Sequence, residues 1–190
     1  GKSMMFRYMS PECQCIANKK SIKDIEYSAI HIPIKEGHFD KTDLKLLQNK
    51  HGETFLNEHF MVVNFAIKIF ERLSEMQLDS SPKSVKALKD YYSNSFLKLL
   101  SYYVWEKEEK LLPGVNNVGE IFSFMQEVCS DVNRDFTRKV VHQLVPSSGQ
   151  LPYNGAIFSF LDFLLPLLKK LKNLPFMPQC PIYLLVDDAD

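Results

Sequence analysis

The sequence has few cysteines, no excess of either charge and no long apolar run, and each of these absences bears on the class of protein. The four cysteines include no CxxC pair and do not form the dense framework of a disulfide-stabilised domain. The 23 basic and 23 acidic residues cancel, so composition gives no electrostatic argument for nucleic-acid binding. The most apolar stretch, 156–168, is interrupted by Ser159, Asp162 and Pro166 and is too short to span a bilayer. We therefore expect a cytoplasmic protein with free thiols and no membrane crossing.

The bulk composition is that of an ordinary globular domain. The chain has 190 residues, of which 45% are hydrophobic and 24% are charged. A chain of this length can bury a sizeable core and suits one domain or most of one.

The last ten residues predict a strand that ends in carboxylates. The run Ile182–Val186 is apolar and rich in β-forming residues, and it lies between Pro181 and the acidic pair Asp187-Asp188. Such a run is typical of a fully buried strand. In open α/β sheets, ligands bind at the carboxyl ends of the strands, so Asp187 and Asp188 are candidate site residues.

The first three residues match the closing half of a phosphate-binding loop. Gly1-Lys2-Ser3 is the end of the pattern GxxxxGK[ST], in which backbone amides and the lysine hold phosphates and the hydroxyl binds Mg²⁺. We assign Gly1, Lys2 and Ser3 to nucleotide binding and Ser3 to the metal. The alternative is that Gly-Lys-Ser occurs here by coincidence.

The two acidic residues supply what the phosphate-binding residues lack. A P-loop site needs a carboxylate directed at the metal and its waters from the end of a neighbouring strand. Asp187 is placed for that metal role, and Asp188 for orienting or deprotonating the attacking water. Glutamate is more usual at the second position, and aspartate is shorter.

Other motifs give weaker indications. Glu58-His59 lacks the second histidine of HExxH, so a zinc protease is not supported. Cys13-x-Cys15 has no second pair at metal-ligand spacing.

Between the two ends, hydrophobic periodicity and breakers predict a helix-rich chain with two strands. We expect a helix over Lys2–Met9, a loop over Glu12–Asp24, a strand over Tyr27–Ile34 with Pro33 at its end, helices over Phe55–Glu75 (capped by Thr54), Val85–Glu109 and Asn117–Leu144, a helix over Asn154–Lys172 kinked or split at Pro166, and a connector over Asn173–Pro181.

The fold class we expect is α/β: a partial P-loop NTPase with few parallel strands and a large helical insertion. A regular βαβ fold would alternate more evenly. We therefore interpret 79–151 as a helical insertion in an incomplete P-loop ATPase domain over 1–190, or as an enlarged helical layer beside the sheet.

These residues resemble a known family. Gly1-Lys2-Ser3 with the helix after it, the closing run 183–190, and the segment 56–60 are similar to bacterial AAA-type ATPases related to the origin-recognition ORC/Cdc6 family. The long helical middle is similar to that of STAND/NACHT-like regulatory ATPases. On the family pattern, Gly1-Lys2-Ser3 belongs to the Walker A motif and Asp187-Asp188 is the Walker B pair. The chain covers the part between them.

The resemblance implies ATP and Mg²⁺ as ligands, slow hydrolysis, homo-oligomerisation and a switch role with a DNA or protein partner. It also implies that the upstream glycines, sensor residues, arginine finger and lid lie outside this chain, so that the chain alone binds nucleotide poorly. Two other functions stay open: a non-enzymatic helical protein-interaction domain, and a DNA-binding regulator whose basic part lies elsewhere.

Overall fold

The computed structural model describes residues 2–33, 50–101, 112, 114–144 and 158–187. Near the ends of some of these ranges it describes the backbone only. The elements, in chain order, are α1 (Lys2–Tyr8), α2 (Pro11–Asn18), a 3₁₀ turn (Ile22–Asp24), β1 (Ser28–Pro33), α3 (Lys50–Glu75), α4 (Pro82–Tyr91), a π turn (Tyr92–Phe96), α5 (Leu97–Ser101), α6 (Val118–Leu144), a second π turn (Phe160–Leu164), α7 (Leu165–Lys172) and β2 (Ile182–Asp187).

The N-terminal segment contains two short helices, of which the sequence predicted one. Helix α1 confirms the first prediction, but the expected loop over Glu12–Asp24 is wrong because α2 occupies most of it. The Ser10 hydroxyl accepts a hydrogen bond from the backbone N–H of Cys13, and Pro11 stands in the first turn. Both are strong helix-start features. The helix ends where Lys19 adopts a left-handed conformation, with φ of 51°.

The two predicted strands form a parallel pair. Ser28 aligns with Ile182 and Pro33 with Asp187, and Pro33 stands at the strand end, as expected for a residue that cannot donate to the ladder. Parallel strands require a crossover connection, and the helices from α3 to α7 provide it.

The two strands of the sheet are buried to different extents. In β1, Ala29 and Ile30 are almost fully buried. The expectation that β2 is fully buried is wrong, since Tyr183 is 49% exposed and Val186 is 43% exposed. The physical reason is that, among the described residues, β2 pairs with β1 alone and has no strand on its other edge.

Helix α3 is the central element of the helical part. It begins at Lys50, so the prediction that Thr54 caps it is wrong, whereas its end at Glu75 agrees with the prediction. Helix α6 packs along α3 and confirms the helix predicted over Asn117–Leu144. The two backbones approach closely near Gly119, where an added Cβ would lie 2.8 Å from the carbonyl oxygen of Ser74.

The helix expected over Val85–Glu109 is confirmed as far as the structure describes it, because α4, the π turn and α5 form one continuous helical run; its last part lies outside the described residues. Helix α4 begins at Pro82, after a cap in which Ser81 accepts from the N–H of Ser84. Asp79 accepts hydrogen bonds from the hydroxyls of Ser84 and Ser81, and these bonds lower the pKa of its carboxyl. A π turn then separates α4 from α5.

The helix expected over Asn154–Lys172 is described only from residue 158 onwards, since 154–157 lie outside the described residues, and residues 158–159 are not helical. Ser159 is extended and caps a π turn, which leads directly into α7. Pro166 lies in the first turn of α7, two residues after the π turn ends. The helical run over 160–172 therefore changes type just before the proline, which removes a backbone donor from the preceding turn. The connector over Asn173–Pro181 contains no helix or strand, as predicted.

One hydrophobic core joins the sheet to the helices. It contains Ile30 and Ile32 of β1 together with buried residues of α3, α4, α6 and α7. The chain is thus a helix-rich α/β fold with a small parallel sheet, as the sequence predicts. Helices within 79–151 share this core, and the domain boundary that would make the range an insertion stays a prediction.

Candidate nucleotide-binding edge

The carboxyl ends of both strands meet at one edge of the sheet. The register pairs Pro33 of β1 with Asp187 of β2, the last residue of each strand. The acidic end of β2 is therefore aligned with the end of β1. In parallel α/β sheets this edge is the usual ligand-binding side.

Helix α1 lies on the face of the sheet opposite α3. Side chains alternate between the faces of a strand: Ile30 and Ile32 enter the core with α3, while the ring of His31 lies 5.6 Å from the ring of Phe6 in α1. The sheet therefore has a helix on each face.

The direction of α1 follows from two contacts. The side-chain amide of Gln14 donates to the carbonyl of Met9, just after α1, and to the carbonyl of Tyr27, just before β1. The end of α1 thus lies beside the start of β1. Because Phe6 contacts His31 farther along the strand, α1 runs antiparallel to the strands.

This direction places the start of α1 at the carboxyl edge. Lys2 precedes Phe6 by about one helical turn, or roughly 6 Å along the axis. Pro33 follows His31 by two residues, also roughly 6 to 7 Å. The backbone of Lys2 and Ser3 is therefore level with the ends of the two strands.

The five predicted site residues are described to different extents. Lys2 and Ser3 form the first turn of α1, and Asp187 is the last residue of β2, each described by its backbone. Gly1 and Asp188 lie outside the described residues. The fold thus brings the backbones of Lys2, Ser3 and Asp187 to one edge of the sheet, and the roles of the five residues stay predictions.

An ion pair that sequence reasoning missed connects the α1–α2 segment to α3. The guanidinium of Arg72 bonds the carboxylate of Glu12 in α2 and, 2.7 Å away, that of Glu75 in its own helix. Arg72 and Glu12 are 60 positions apart in the sequence, and neither belongs to a motif. No local signal in the sequence indicates this pairing.

A second group missed from sequence surrounds Glu58 and His59. The Nδ1 atom of His59 accepts from the backbone N–H of Phe158 at 3.1 Å, and Glu58 accepts from the N–H of Phe160 at 3.0 Å. The imidazole stacks on Phe136, with ring centroids 3.6 Å apart, and on Phe158. Two adjacent side chains of α3 therefore hold the start of the segment that leads to α7.

His59 is neutral in the folded protein. Its side chain is 1% exposed, and burial lowers its pKa from 6.5 to about 3. Because Nδ1 accepts a hydrogen bond, the proton resides on Nε2, which has no partner among the described residues. The arrangement is a structural contact that joins α3 to the segment before α7.

Among the described residues, no three His, Cys, Asp or Glu side chains come together to hold a metal ion. A shallow cavity of about 180 Å³ is lined by residues including Gln14, Lys20 and Tyr27, which places it at the amino end of β1. It is smaller than typical ligand pockets and lies at the sheet end opposite Asp187.

The four cysteines are free thiols, as the composition predicts. Burial raises the pKa of the Cys129 thiol, so this thiol stays protonated and unreactive.

A family model described as ORC-CDC6-like matches residues 1–190, the whole chain. The chain belongs to the ORC-CDC6-like family. This protein is therefore a relative of the AAA-type ATPases. Neither the curated proteins nor the solved structures contain a match to it.

Among the described helices of this ORC-CDC6-like protein, none combines the length and the apolar character needed to cross a bilayer.

Proposed function

We propose that this ORC-CDC6-like protein binds ATP with Mg²⁺ at the carboxyl edge of its parallel sheet and acts as a nucleotide-dependent switch. The observation that carries the proposal is the antiparallel placement of α1, which brings the backbone of Lys2 level with the end of β2 at Asp187. Membership of an AAA-related family supports the same assignment.

In this proposal the residues have distinct chemical roles. The backbone of Gly1 and the ammonium group of Lys2 bind the phosphates, and the hydroxyl of Ser3 binds Mg²⁺. Asp187 binds the metal through its waters, and Asp188 orients or deprotonates the attacking water. The shorter side chain of Asp188 is consistent with slow hydrolysis, which suits a switch.

Equilibrium binding tests the nucleotide site. We expect ATP·Mg²⁺ binding by the full-length protein to be lost on Lys2→Ala, because the lysine supplies the charge opposite the β- and γ-phosphates. The control is Lys83→Ala, which removes an exposed lysine of α4. Equal affinity of the wild type and Lys2→Ala would contradict the proposal.

Hydrolysis tests the acidic pair separately. We expect Asp188→Asn to retain ATP binding and to lose most of the ATPase rate, because the variant cannot take a proton from water. We expect Asp187→Asn to lose the Mg²⁺ dependence of binding. An unchanged ATPase rate in Asp188→Asn would remove Asp188 from the mechanism.

We also propose that the protein forms homo-oligomers whose assembly depends on the bound nucleotide, and that it acts on a DNA or protein partner through other regions. Sedimentation with ATP·Mg²⁺ and with ADP tests the nucleotide-dependent assembly, and equal molecular masses in the two states would contradict it.

A DNA-binding measurement distinguishes the two kinds of partner. Binding that weakens steeply with salt would indicate a DNA partner, and no binding would favour a protein partner.

A further inference from the structure

Side-chain contacts hold the segment that contains α1 and α2, residues 2–18, against other parts of the fold. The amide of Gln14 is 8% exposed and bonds carbonyls at the end of α1 and the start of β1. Phe6 packs on His31. These contacts fix the segment against β1, and a third contact, from Arg72 to Glu12, fixes it against α3.

The contact between Arg72 and Glu12 is a partly buried, charge-assisted one. Their side chains are 27% and 36% exposed, respectively. A charge-assisted bond between a guanidinium and a carboxylate is stronger than a neutral hydrogen bond. The second carboxylate oxygen of Glu12 is buried and has no hydrogen-bond partner among the described residues. Since a carboxylate that is partly removed from water needs its remaining partner, the position of α2 depends on Arg72.

The same end of α3 is also fixed by α6. Arg72 stands two residues before Ser74, whose carbonyl oxygen would lie 2.8 Å from a Cβ at position 119. Ser74 also donates to the carbonyl of Glu71. The C-terminal turn of α3 is therefore a junction at which the α1–α2 segment and the helical layer meet.

We propose that Arg72 and Glu12 are a positioning pair that sets ATP affinity, because it holds α1, and with it Lys2 and Ser3, in place relative to the end of β2. The pair touches neither phosphate nor metal in this account; it acts through the orientation of α1. The inference rests on the proposed nucleotide site, and it makes the packing of α3 a determinant of nucleotide binding.

The test uses the full-length protein and four variants: Glu12→Gln, Arg72→Gln, the conservative Arg72→Lys, and the double charge swap of Glu12→Arg with Arg72→Glu. We expect each of the first two to weaken ATP·Mg²⁺ binding about fivefold or more, the lower limit of typical coupling between linked sites. Arg72→Lys should recover most of the affinity, because it retains the ion pair with Glu12. The charge swap should recover less, because its carboxylate at position 72 also stands beside Glu75.

The control is Arg134→Gln, which removes a surface ion pair of α6 in which the arginine is 77% exposed. Binding is measured at a temperature where circular dichroism shows every variant folded. A purely structural role would lower the melting temperature and leave the dissociation constant unchanged. That result, or an affinity loss that Arg72→Lys does not recover, would overturn the inference.

Hydrogen exchange without nucleotide separates this inference from the proposed function. We expect Glu12→Gln to speed exchange of the amides in 2–9 relative to wild type. If the wild type binds no ATP, the proposed function fails, and the exchange result still decides whether the pair positions α1. If the wild type binds ATP and both neutralising variants bind it equally well, the positioning pair fails and the nucleotide site stands.

Discussion

Replacing His59 with phenylalanine should remove a pH dependence from the stability of the protein. The folded protein keeps this imidazole neutral, with a pKa lowered by burial to about 3, whereas its ordinary value is 6.5. Below pH 6.5 the unfolded chain therefore binds a proton at this position that the folded protein does not. The free energy of unfolding must fall as the pH decreases from about 6.5 towards 3.

The size of the effect follows from this difference in pKa. Between pH 7.5 and pH 5, linkage gives a loss of about 2 kcal/mol from His59. The His59→Phe variant leaves the buried N–H of Phe158 without its acceptor, which costs about 1 kcal/mol or more at any pH. We therefore expect the variant to be less stable than wild type at pH 7.5 and to overtake it near pH 5.

Urea unfolding followed by circular dichroism at both pH values measures the two free energies. His59→Gln is the matched variant, because its amide oxygen can still accept a hydrogen bond but does not titrate. The difference in stability between wild type and each variant should shift by about 2 kcal/mol between the two pH values. A difference that stays constant with pH would refute the assignment of His59 as a buried neutral base.

Three further substitutions test the packing, each by the urea midpoint at an unchanged m-value. Gly119→Ala should destabilise the protein by about 1 kcal/mol or more, because its methyl group would meet the carbonyl of Ser74 at 2.8 Å; a stabilised variant would show that α3 and α6 separate freely. Ser81→Ala should cost about 1 kcal/mol through the lost cap of α4, and no loss would mean that the cap is replaced. Tyr91→Phe should cost about 1 kcal/mol, because the hydroxyl donates to the buried carbonyl of Leu167, and equal stability would show that this bond does not stabilise the fold.

The elements that sequence predicts well are those with a strong hydrophobic period. Helices α3 and α6 and strands β1 and β2 follow from patterns within a single stretch, since burial of one face requires that pattern. The start of α2 was also readable, because Ser10, Pro11 and Glu12 form a typical helix start. The polar composition of the segment nevertheless favoured a loop.

The contacts that position the candidate site were not predictable in the same way. The pairing of Arg72 with Glu12 joins residues 60 positions apart, and that of His59 with Phe158 joins residues 99 apart. Such pairs arise from tertiary packing and leave no periodic trace in the sequence. The exposure of β2 was missed for a related reason: an apolar run predicts a strand, but its burial depends on which strands pair with it.

The terminal motifs are the opposite case, because the sequence indicates their residues and the fold supplies only their positions. Sequence alone singled out Lys2, Ser3 and Asp187 through the chemistry that those residue types perform. The fold adds that α1 runs antiparallel to β1 and that β2 ends at the same edge of the sheet. Their phosphate and metal roles stay predictions that ATP binding must test.

Hydrogen exchange of the full-length protein with and without ATP·Mg²⁺ tests directly whether nucleotide binds at this edge of the sheet. We predict slower exchange in the presence of nucleotide at two separate places, the first turn of α1 after Lys2 and the end of β2 at Asp187. We also predict that Lys2→Ala abolishes both effects. Protection confined to other segments, or protection that persists in Lys2→Ala, would contradict a nucleotide site at this edge of the sheet.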